Sequence, residues 1–301
     1  MYNMNGLGFI QRKQVAWAIR TGLEPIGSTF QNEGEKNYLE KLEDNLFQPL
    51  TVETRKQLED GGGKETEGYL KDGKHYRPKI NALHSSAAIA VNTFQYWQNK
   101  DVYPILYACG LCPTKSSNVD IPLANKISFE EKFPISDDKE TFQTPPNIDV
   151  VIDNFQSKIY AIESKLTEPY RRKKPEETGI RKDYLENPFW DGLSNLKDLA
   201  EKLCPNDNVF QHLDAAQLIR HILGLKRNHN KSGFRLLYLW YDVIGQDGAE
   251  HRKEIEQFAE IAKGDNINFS HITYQEVITK LTKEFYEGNE EYCNYLTNRY
   301  L

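Results

Sequence analysis

A β-hairpin at residues 147–168 constrains the fold of this chain more than any other feature of the sequence. Residues 148–152 are β-branched and apolar except for Asp149, a composition typical of a buried strand. Residues 158–166 then alternate between two faces, as the residues of a strand inside a sheet do. Asp153 lies between the two runs and is interpreted as a turn residue. The segment therefore predicts two neighbouring antiparallel strands.

Charged side chains interrupt this apolar hairpin. Alternation puts Glu163 and Lys165 on the same face of their strand, about 7 Å apart at ~3.3 Å per residue, and the hairpin puts Asp149 on the neighbouring strand. Charges rarely interrupt buried strands unless they are paired or bind a metal. Two carboxylates and an amine can hold a divalent metal beside a proton-transfer group, which is the chemistry needed to hydrolyse a phosphodiester. The alternative is a cross-strand ion pair in which Lys165 neutralises both carboxylates.

The pattern of Asp149 followed by Glu163-Ser164-Lys165 resembles the PD-(D/E)XK nuclease superfamily, which has the restriction-endonuclease-like fold. The resemblance implies that Asp149, Glu163 and Lys165 are catalytic. It also implies that Asp149 and Glu163 bind Mg²⁺, with Mn²⁺ as the alternative ion, and that the partner is double-stranded DNA. The proline of the superfamily name has no strict match, because Pro146 is displaced by two residues.

Further segments are similar to a bacterial subgroup of restriction-endonuclease-like proteins. They are residues 61–65, 82–94, 147–149 and 217–221. The resemblance covers roughly residues 60–285 and implies a metal-dependent endonuclease that acts alone on duplex DNA, in restriction or defence against foreign DNA. A nuclease of repair or of a mobile element is one alternative, and a catalytically silent member that only binds nucleic acid or protein is another. A homodimer would let two sites cut both strands.

Several polar residues elsewhere in the chain are candidates for a supporting shell around the site. They are Glu130, Glu131, Gln217, Arg220, His221, Ser85 and Ser86. One of the two glutamates could complete the metal shell from a preceding strand. The next three share one side of a helix and could bind phosphate or orient the lysine, and the serines begin a helix whose free N–H groups favour anions. A solvated strand face, an exposed polar stripe and simple helix capping are the respective alternatives.

Two basic clusters are interpreted as DNA contacts. They comprise Arg171, Arg172, Lys173, Lys174, Lys226 and Arg227. The first cluster directly follows the strand that carries Lys165, and the second frames a turn. Local clusters in a chain of net charge −6 would concentrate the affinity for phosphate at one cleft. Solvated loops are the alternative interpretation.

The composition indicates a globular enzyme rather than a protein that coats DNA. Hydrophobic residues make up 39% of the 301 residues, enough for a substantial core, and the pI near 5.7 disfavours a DNA-coating protein. Because no apolar run approaches the ~20 residues needed to span a bilayer and no signal peptide is recognisable, we expect no membrane contact and a cytoplasmic location. Cys109 and Cys112 form a CxxC pair without a second ligand pair, so we interpret them as ordinary thiols.

The spacing of apolar residues predicts an α/β (α+β) fold, in which a central mixed sheet is flanked by helices. The resemblance implies that this sheet is of the restriction-endonuclease-like type. Residues 1–60 are expected to form a helical N-terminal extension, including a helix over residues 35–47, and residues 61–301 the PD-(D/E)XK nuclease-like domain. The glycine run that begins at Gly61 is either a flexible linker or a turn that brings backbone close to the catalytic centre. Residues 64–78 are expected to be an irregular loop.

Overall fold

The computed structural model describes residues 5–61, 65–112, 125–154, 158–186 and 188–301. Within these ranges lie a five-stranded mixed sheet, a small antiparallel sheet and helices on both faces of the larger sheet. The predicted mixed α+β architecture is confirmed. None of the helices in the described part of the chain has the length and apolar character needed to cross a membrane.

The strands are consecutive in the chain and lie in two sheets. They are β1 (Tyr69–Lys71) and β2 (Lys74–Tyr76) in the small sheet, and β3 (Asn125–Lys132), β4 (Asn147–Asn154), β5 (Lys158–Lys165), β6 (Phe234–Trp240) and β7 (Phe269–Thr273), in that order, in the large one. The β3–β4 and β4–β5 pairs are antiparallel, and the β5–β6 and β6–β7 pairs are parallel. The predicted hairpin is thus β4–β5, while residues 155–157 between its strands lie outside the described residues.

The helices surround the large sheet. They are α1 (Gly6–Arg20), α2 (Val52–Asp60), α3 (Ser86–Phe94), α4 (Tyr103–Ala108), α5 (Lys182–Leu185), α6 (Ser194–Lys202), α7 (Ala215–His229), α8 (Gln246–Gly264), α9 (Tyr274–Glu284) and α10 (Glu290–Tyr300). The hydroxyl of Ser85 accepts a hydrogen bond from the Ala88 amide at 3.1 Å and caps α3, as its sequence signal predicts.

Three local predictions are wrong. The helix over residues 35–47 is reduced to a 3₁₀ turn at Leu42–Asn45, because the backbone of Tyr38 pairs in extended form with Ile26. The segment 64–78 contains the β1–β2 hairpin rather than only irregular loop. Asp153 is a strand residue, since it pairs with Ile159 across the β4–β5 ladder.

The two faces of β5 are those that alternation predicts. Ile159 and Ala161 pack among buried residues of α6, α7 and α8. Tyr160 and Ile162 pack on the other side, among buried residues of α3, α9 and α10. Burial of a side chain as large as Ile159 or Ile162 contributes about 1.5–3 kcal/mol, so the register of the strand is strongly fixed. Glu163 and Lys165 consequently point towards the α6–α8 side.

The N-terminal segment packs onto the same core. Ile10 and Leu58 belong to the buried cluster on the α3–α9 side of the sheet. The guanidinium of Arg299, in α10, is almost fully buried. It donates hydrogen bonds to the Gln14 side chain at 3.1 Å and to the Asn45 carbonyl at 2.7 Å. The N-terminal residues and the last helix are thereby joined through one buried cation.

Candidate active site

Three carboxylates lie in a row across β3, β4 and β5. The neighbouring pairs of the β3–β4 ladder put Glu130 opposite Asp149. The next step of the β4–β5 ladder puts Asp149 beside Glu163. The amide of Ser164 donates a hydrogen bond of 2.7 Å to Asp149 Oδ2, which turns that carboxylate towards β5. The hairpin therefore brings the predicted carboxylates together, as its register requires.

The predicted lysine completes this group. Lys165 Nζ lies 2.5 Å from Glu163 Oε1 and donates a hydrogen bond of 3.0 Å to Gln217 Oε1 on α7. His221, one turn further along α7, has Nδ1 3.3 Å from Glu163 Oε2. Glu163 is completely buried, and among the described residues neither of its oxygens receives a hydrogen bond of ordinary geometry. Lys165 makes an ionic contact with Glu163, and His221 lies beside the other carboxylate oxygen.

The charges of this group do not balance. Lys165 is one ammonium, whereas Asp149, Glu163 and Glu168 all act on it electrostatically, and Asp149 and Glu163 act in turn on Glu130. A cross-strand ion pair whose only role is structural would neutralise itself. The excess of carboxylates within the described residues instead favours a site that attracts a further cation.

The pKa values of the carboxyl groups reflect burial and this repulsion. Burial, followed by the charges of Asp149 and other carboxylates, raises the pKa of Glu130 to about 8. Burial, and then the charge of Glu163, raises the pKa of Asp149 well above its usual range. Burial also raises the pKa of Glu163, although Lys165 opposes the shift. For Lys165 burial acts to lower the pKa, but the surrounding carboxylates raise it above its ordinary value, so the amine stays charged.

The helix α7 supplies two of the three residues predicted from it. Burial, and then the charge of Lys165, lowers the pKa of His221 to about 3, so that a neutral imidazole faces Glu163. Gln217 accepts from Lys165 and fixes the direction of the ammonium. Arg220 is partly exposed on the same helix and makes no hydrogen bond or ion pair within the described residues.

Among the other residues predicted to support the site, one glutamate and one serine interact with its carboxylates. Glu130 belongs to the carboxylate row, while Glu131 accepts a hydrogen bond of 2.5 Å from the hydroxyl of Ser128. Ser85 serves as the cap of α3, whereas the hydroxyl of Ser86 forms a hydrogen bond with Glu168 and so touches the site. Sequence alternation could not choose between the two glutamates, and the structure places Glu130 and Ser86 beside carboxylates of the site.

A cavity of about 330 Å³ opens beside Lys165. Its wall includes Glu168 and Gln217, and it also includes the whole first basic cluster, namely Arg171, Arg172, Lys173 and Lys174. The predicted proximity of this cluster to the lysine is therefore present in the structure. Lys165 keeps 14% of its side chain exposed, so the group of charges is reachable from solvent.

The second basic cluster lies elsewhere. Lys226 and Arg227 are in the last turns of α7, nine or more residues after Gln217, which is at least ~13 Å along the helix axis at 1.5 Å per residue. Arg227 forms an ion pair of 2.6 Å with Asp137, and Lys226 donates to the carbonyl of Phe189 at 3.1 Å. The structure does not bring these two residues to the cavity beside Lys165.

Two acidic residues near the site escaped the sequence analysis. Glu168 accepts hydrogen bonds from the amides of Leu166 and Thr167, at 3.0 and 2.9 Å, and its carboxylate lines the cavity. The contacts with Lys165 and the other donors outweigh the effect of burial and lower its pKa. Its position three residues after Lys165 was the available signal. Glu65 contributes to the raised pKa of Glu130, and it ends the glycine-rich segment already noted in the sequence.

The described start of the glycine run approaches the site closely. A Cβ atom added to Gly61 would lie 2.9 Å from Cβ of Glu130, and the side chain of Asn147 donates a hydrogen bond to the Gly61 carbonyl at 3.3 Å. This contact supports the interpretation of a turn that brings backbone to the centre rather than a free linker. Gly62, Gly63 and Lys64 lie outside the described residues.

The oxygen donors beside Lys165 suit a hard divalent cation. Asp149 and Glu163 are the two side chains that could hold it, with Glu130 next to them in the row. No group of three or more His, Cys, Asp or Glu in the described ranges is arranged as a complete metal site. Mg²⁺ keeps several waters and commonly takes only one or two carboxylates from a protein, so a partial set of this kind matches its coordination.

Comparison with known proteins adds one finding. A family model described as "Restriction Endonuclease associating with ARP" matches residues 11–301. No curated protein and no solved structure matches the chain. The match covers nearly the whole chain, including every strand and helix that forms the site.

Proposed function

Because the chain belongs to the family described as "Restriction Endonuclease associating with ARP", we propose that it is a metal-dependent endonuclease that hydrolyses phosphodiester bonds of double-stranded DNA. Its biological role would be restriction of, or defence against, foreign DNA. The observation that carries the proposal is the convergence of Asp149, Glu163 and Lys165 beside a cavity with a basic wall. We further propose that these three residues are the D…E-x-K set of a PD-(D/E)XK nuclease.

The residues fit a divalent cation, Mg²⁺ or alternatively Mn²⁺. The oxygens of Glu163 are buried without hydrogen-bond donors of ordinary geometry. The pKa values of Asp149 and Glu130 are raised because these carboxyl groups are buried close to one another. A cation held by Asp149 and Glu163 would relieve both penalties. When bound, such an ion supplies the Lewis-acid charge that activates water and stabilises the phosphoryl transition state.

The amine of Lys165 would act as a charged donor at the scissile phosphate. Since its pKa is raised, it remains an ammonium and is suited to stabilise negative charge on a phosphate oxygen and to orient the attacking water. Gln217 holds Nζ by accepting one of its protons at 3.0 Å. The imidazole of His221 lies 3.3 Å from Glu163 and, because it is neutral, adds no second positive charge there.

Plasmid cleavage tests the proposal. The purified protein should convert supercoiled plasmid to nicked and linear forms with Mg²⁺ and leave it intact with EDTA. A protein that binds plasmid but leaves it intact in both tubes would be the silent binding member instead. Mapping the cut ends then separates sequence-specific restriction, which gives fixed ends, from general degradation, which gives scattered ends.

The variant Lys165→Ala tests the role of the amine. We expect its cleavage rate to fall by at least about 10²-fold, because the charge at the reacting phosphate is lost. Lys158→Ala is the matched control, since Lys158 is an exposed lysine at the opposite end of the same strand. Equal loss of cleavage in both variants, with both still folded by circular dichroism, would contradict the assignment.

The family description also names an association with ARP. We expect this chain to cut duplex DNA by itself, because the carboxylates, the lysine and the basic wall all come from one chain. Cleavage that starts only when ARP is added would overturn that expectation. Equilibrium sedimentation with and without DNA would show whether two copies assemble to cut both strands.

A further inference from the structure

The basic residues near the site differ in whether their charge is already used within the protein. Lys173 is the clearest case. Its Nζ donates to Asp207 Oδ2 at 2.5 Å and to the carbonyls of Phe210 and Leu213 at 3.0 and 2.8 Å. An ammonium has three protons, so all of them are occupied. Lys173 therefore fixes the loop before α7 and has no proton left for a ligand.

The other predicted cations are partly or fully engaged as well. Lys174 forms an ion pair of 2.7 Å with Glu177 on the surface. Arg227 and Lys226 have the partners described above, away from the cavity. Arg171 donates one hydrogen bond, of 3.4 Å, to the hydroxyl of Thr167 and lies near Glu168. The positive charge of Arg171 therefore acts partly on the carboxylate of Glu168.

Two guanidinium groups stand apart from these cations. Within the described residues, Arg172 and Arg220 make no hydrogen bond, ion pair or aromatic contact. Arg172 is exposed and lines the cavity that contains Lys165 and Gln217. Arg220 is partly exposed and lies three residues beyond Gln217, about 4.5 Å along α7 at 1.5 Å per residue, outside that cavity. Arg172 is therefore inside the cavity, whereas Arg220 is outside it on the helix that carries Gln217 and His221.

A free guanidinium beside an acidic centre is best explained by an external anion. The carboxylates of the site would repel a polyanion such as DNA, so the cleft needs cations that remain available for phosphate. Arginine binds phosphate oxygens through two parallel N–H donors, which fixes the position of the backbone as well as neutralising it. Lys173, whose protons are occupied, cannot serve in this way.

We propose that Arg172 and Arg220 each bind a backbone phosphate of the DNA that is cleaved. This inference rests on the proposed function. The internally paired cations, Lys173, Lys174, Lys226 and Arg227, stabilise the fold and contribute little to DNA affinity. The division revises the sequence-based expectation that the two clusters contact DNA as whole units.

DNA affinity measured across a range of salt concentrations, in EDTA, tests the inference without requiring cleavage. Each phosphate contact adds about 0.9 to the slope of log affinity against log salt on duplex DNA. We therefore expect Arg172→Gln and Arg220→Gln each to reduce the slope by about one, equally for unrelated DNA sequences. Lys182→Gln, which breaks a surface ion pair with Glu186 outside the cavity, and Arg227→Gln are the matched controls and should leave the slope unchanged.

The outcomes separate this inference from the proposed function. Unchanged slopes in both arginine variants, or reduced slopes in the two controls, would overturn the inference even if the wild-type protein cleaves DNA. Reduced slopes in the arginine variants alone would support it even if no cleavage occurred. Arg172→Lys keeps the charge but loses the paired donors, so it should keep the wild-type slope while binding more weakly. Thermal unfolding of each variant excludes loss of folding as the cause.

Discussion

At the scale of single residues, Glu130 has a carboxyl group whose charge is unfavourable at its position. Its backbone has φ of +53°, a region that residues other than glycine rarely adopt. The same residue interrupts the β3–β4 ladder opposite Asp149. A glutamate pKa near 4.5 in the unfolded chain and about 8 in the folded protein means that the folded state binds the extra proton between these values. The free energy of unfolding should therefore fall as the pH rises from 4.5 to 8.

Glu130→Gln should remove that loss of stability. We expect the variant to raise the free energy of unfolding of ion-free protein by on the order of 1–3 kcal/mol at pH 8.5, and by much less at pH 4.5, because the wild-type carboxyl is protonated there. Urea denaturation at both pH values measures the difference. Glu131→Gln is the control, since the carboxylate of Glu131 is bonded to Ser128. An equal gain for Glu130→Gln at both pH values would contradict the charge explanation.

Gln217 is expected to position Lys165 rather than to bind DNA. Gln217→Ala should lower kcat by about 10- to 100-fold, the usual loss when a partner that orients a catalytic group is removed, and should leave KM for DNA nearly unchanged. Gln211 lines the same cavity without contacting Lys165, so Gln211→Ala should have little effect on kcat. A rise in KM without a fall in kcat would show that Gln217 binds substrate instead.

At the scale of elements, the site depends on how the end of α2 meets β3. Gly61 follows α2 with φ of −57° and ψ of −26°, a conformation that alanine also adopts. Any effect of a side chain here must therefore come from its contact with Glu130, 2.9 Å away from the added Cβ. A side chain added at the end of α2 is therefore expected to displace Glu130 on β3 and so disturb the row of carboxylates.

Gly61→Ala should accordingly impair cleavage more than stability. We expect an overpacking penalty of about 1–3 kcal/mol and a fall of at least about tenfold in the cleavage rate, because Glu130 must move. Asp60→Ala, one residue earlier and exposed, is the control. Wild-type cleavage by Gly61→Ala would show that the position of Glu130 is not critical.

At the scale of the whole molecule, Arg299 ties distant parts of the chain together. In addition to Gln14 and Asn45, it bonds the carbonyl of Leu83 at 3.3 Å, and its guanidinium lies 4.2 Å from the ring centroid of Trp17. Removal of the side chain would leave several buried acceptors without donors. Each such group costs about 1–3 kcal/mol.

Arg299→Ala should therefore lower the free energy of unfolding by about 3 kcal/mol or more, measured by urea denaturation. Arg12→Ala, at an exposed position of α1, should change it by less than about 0.5 kcal/mol. A small effect of Arg299→Ala would mean that water replaces its contacts.

The division into an extension of residues 1–60 and a domain of residues 61–301 stays a prediction, and deletion of the first sixty residues tests it. We expect the shortened chain to be unstable, because the partners of Arg299 would be missing.

The alternation of residues along the strands was enough to predict part of the fold and of the candidate site. Alternation along residues 158–166 fixed the faces of Glu163 and Lys165, because one slip would expose the core side chains. It could not choose between Glu130 and Glu131, since the positive φ of Glu130 breaks the alternation that the choice would need. Alternation also could not show that Lys173 pairs with Asp207, thirty-four residues away, because that pairing is set by tertiary packing.

Because Arg299 lies near the end of the sequence, its contacts with the N-terminal segment form late in synthesis. The ribosome releases the carboxylate strands and the basic wall well before it releases α10. Until α10 is released, Gln14 and Asn45 lack their cation, and the contacts of Arg299 with the N-terminal segment cannot form. Completion of this part of the core would therefore wait until α10 has left the ribosome, after every strand of the large sheet has been synthesised.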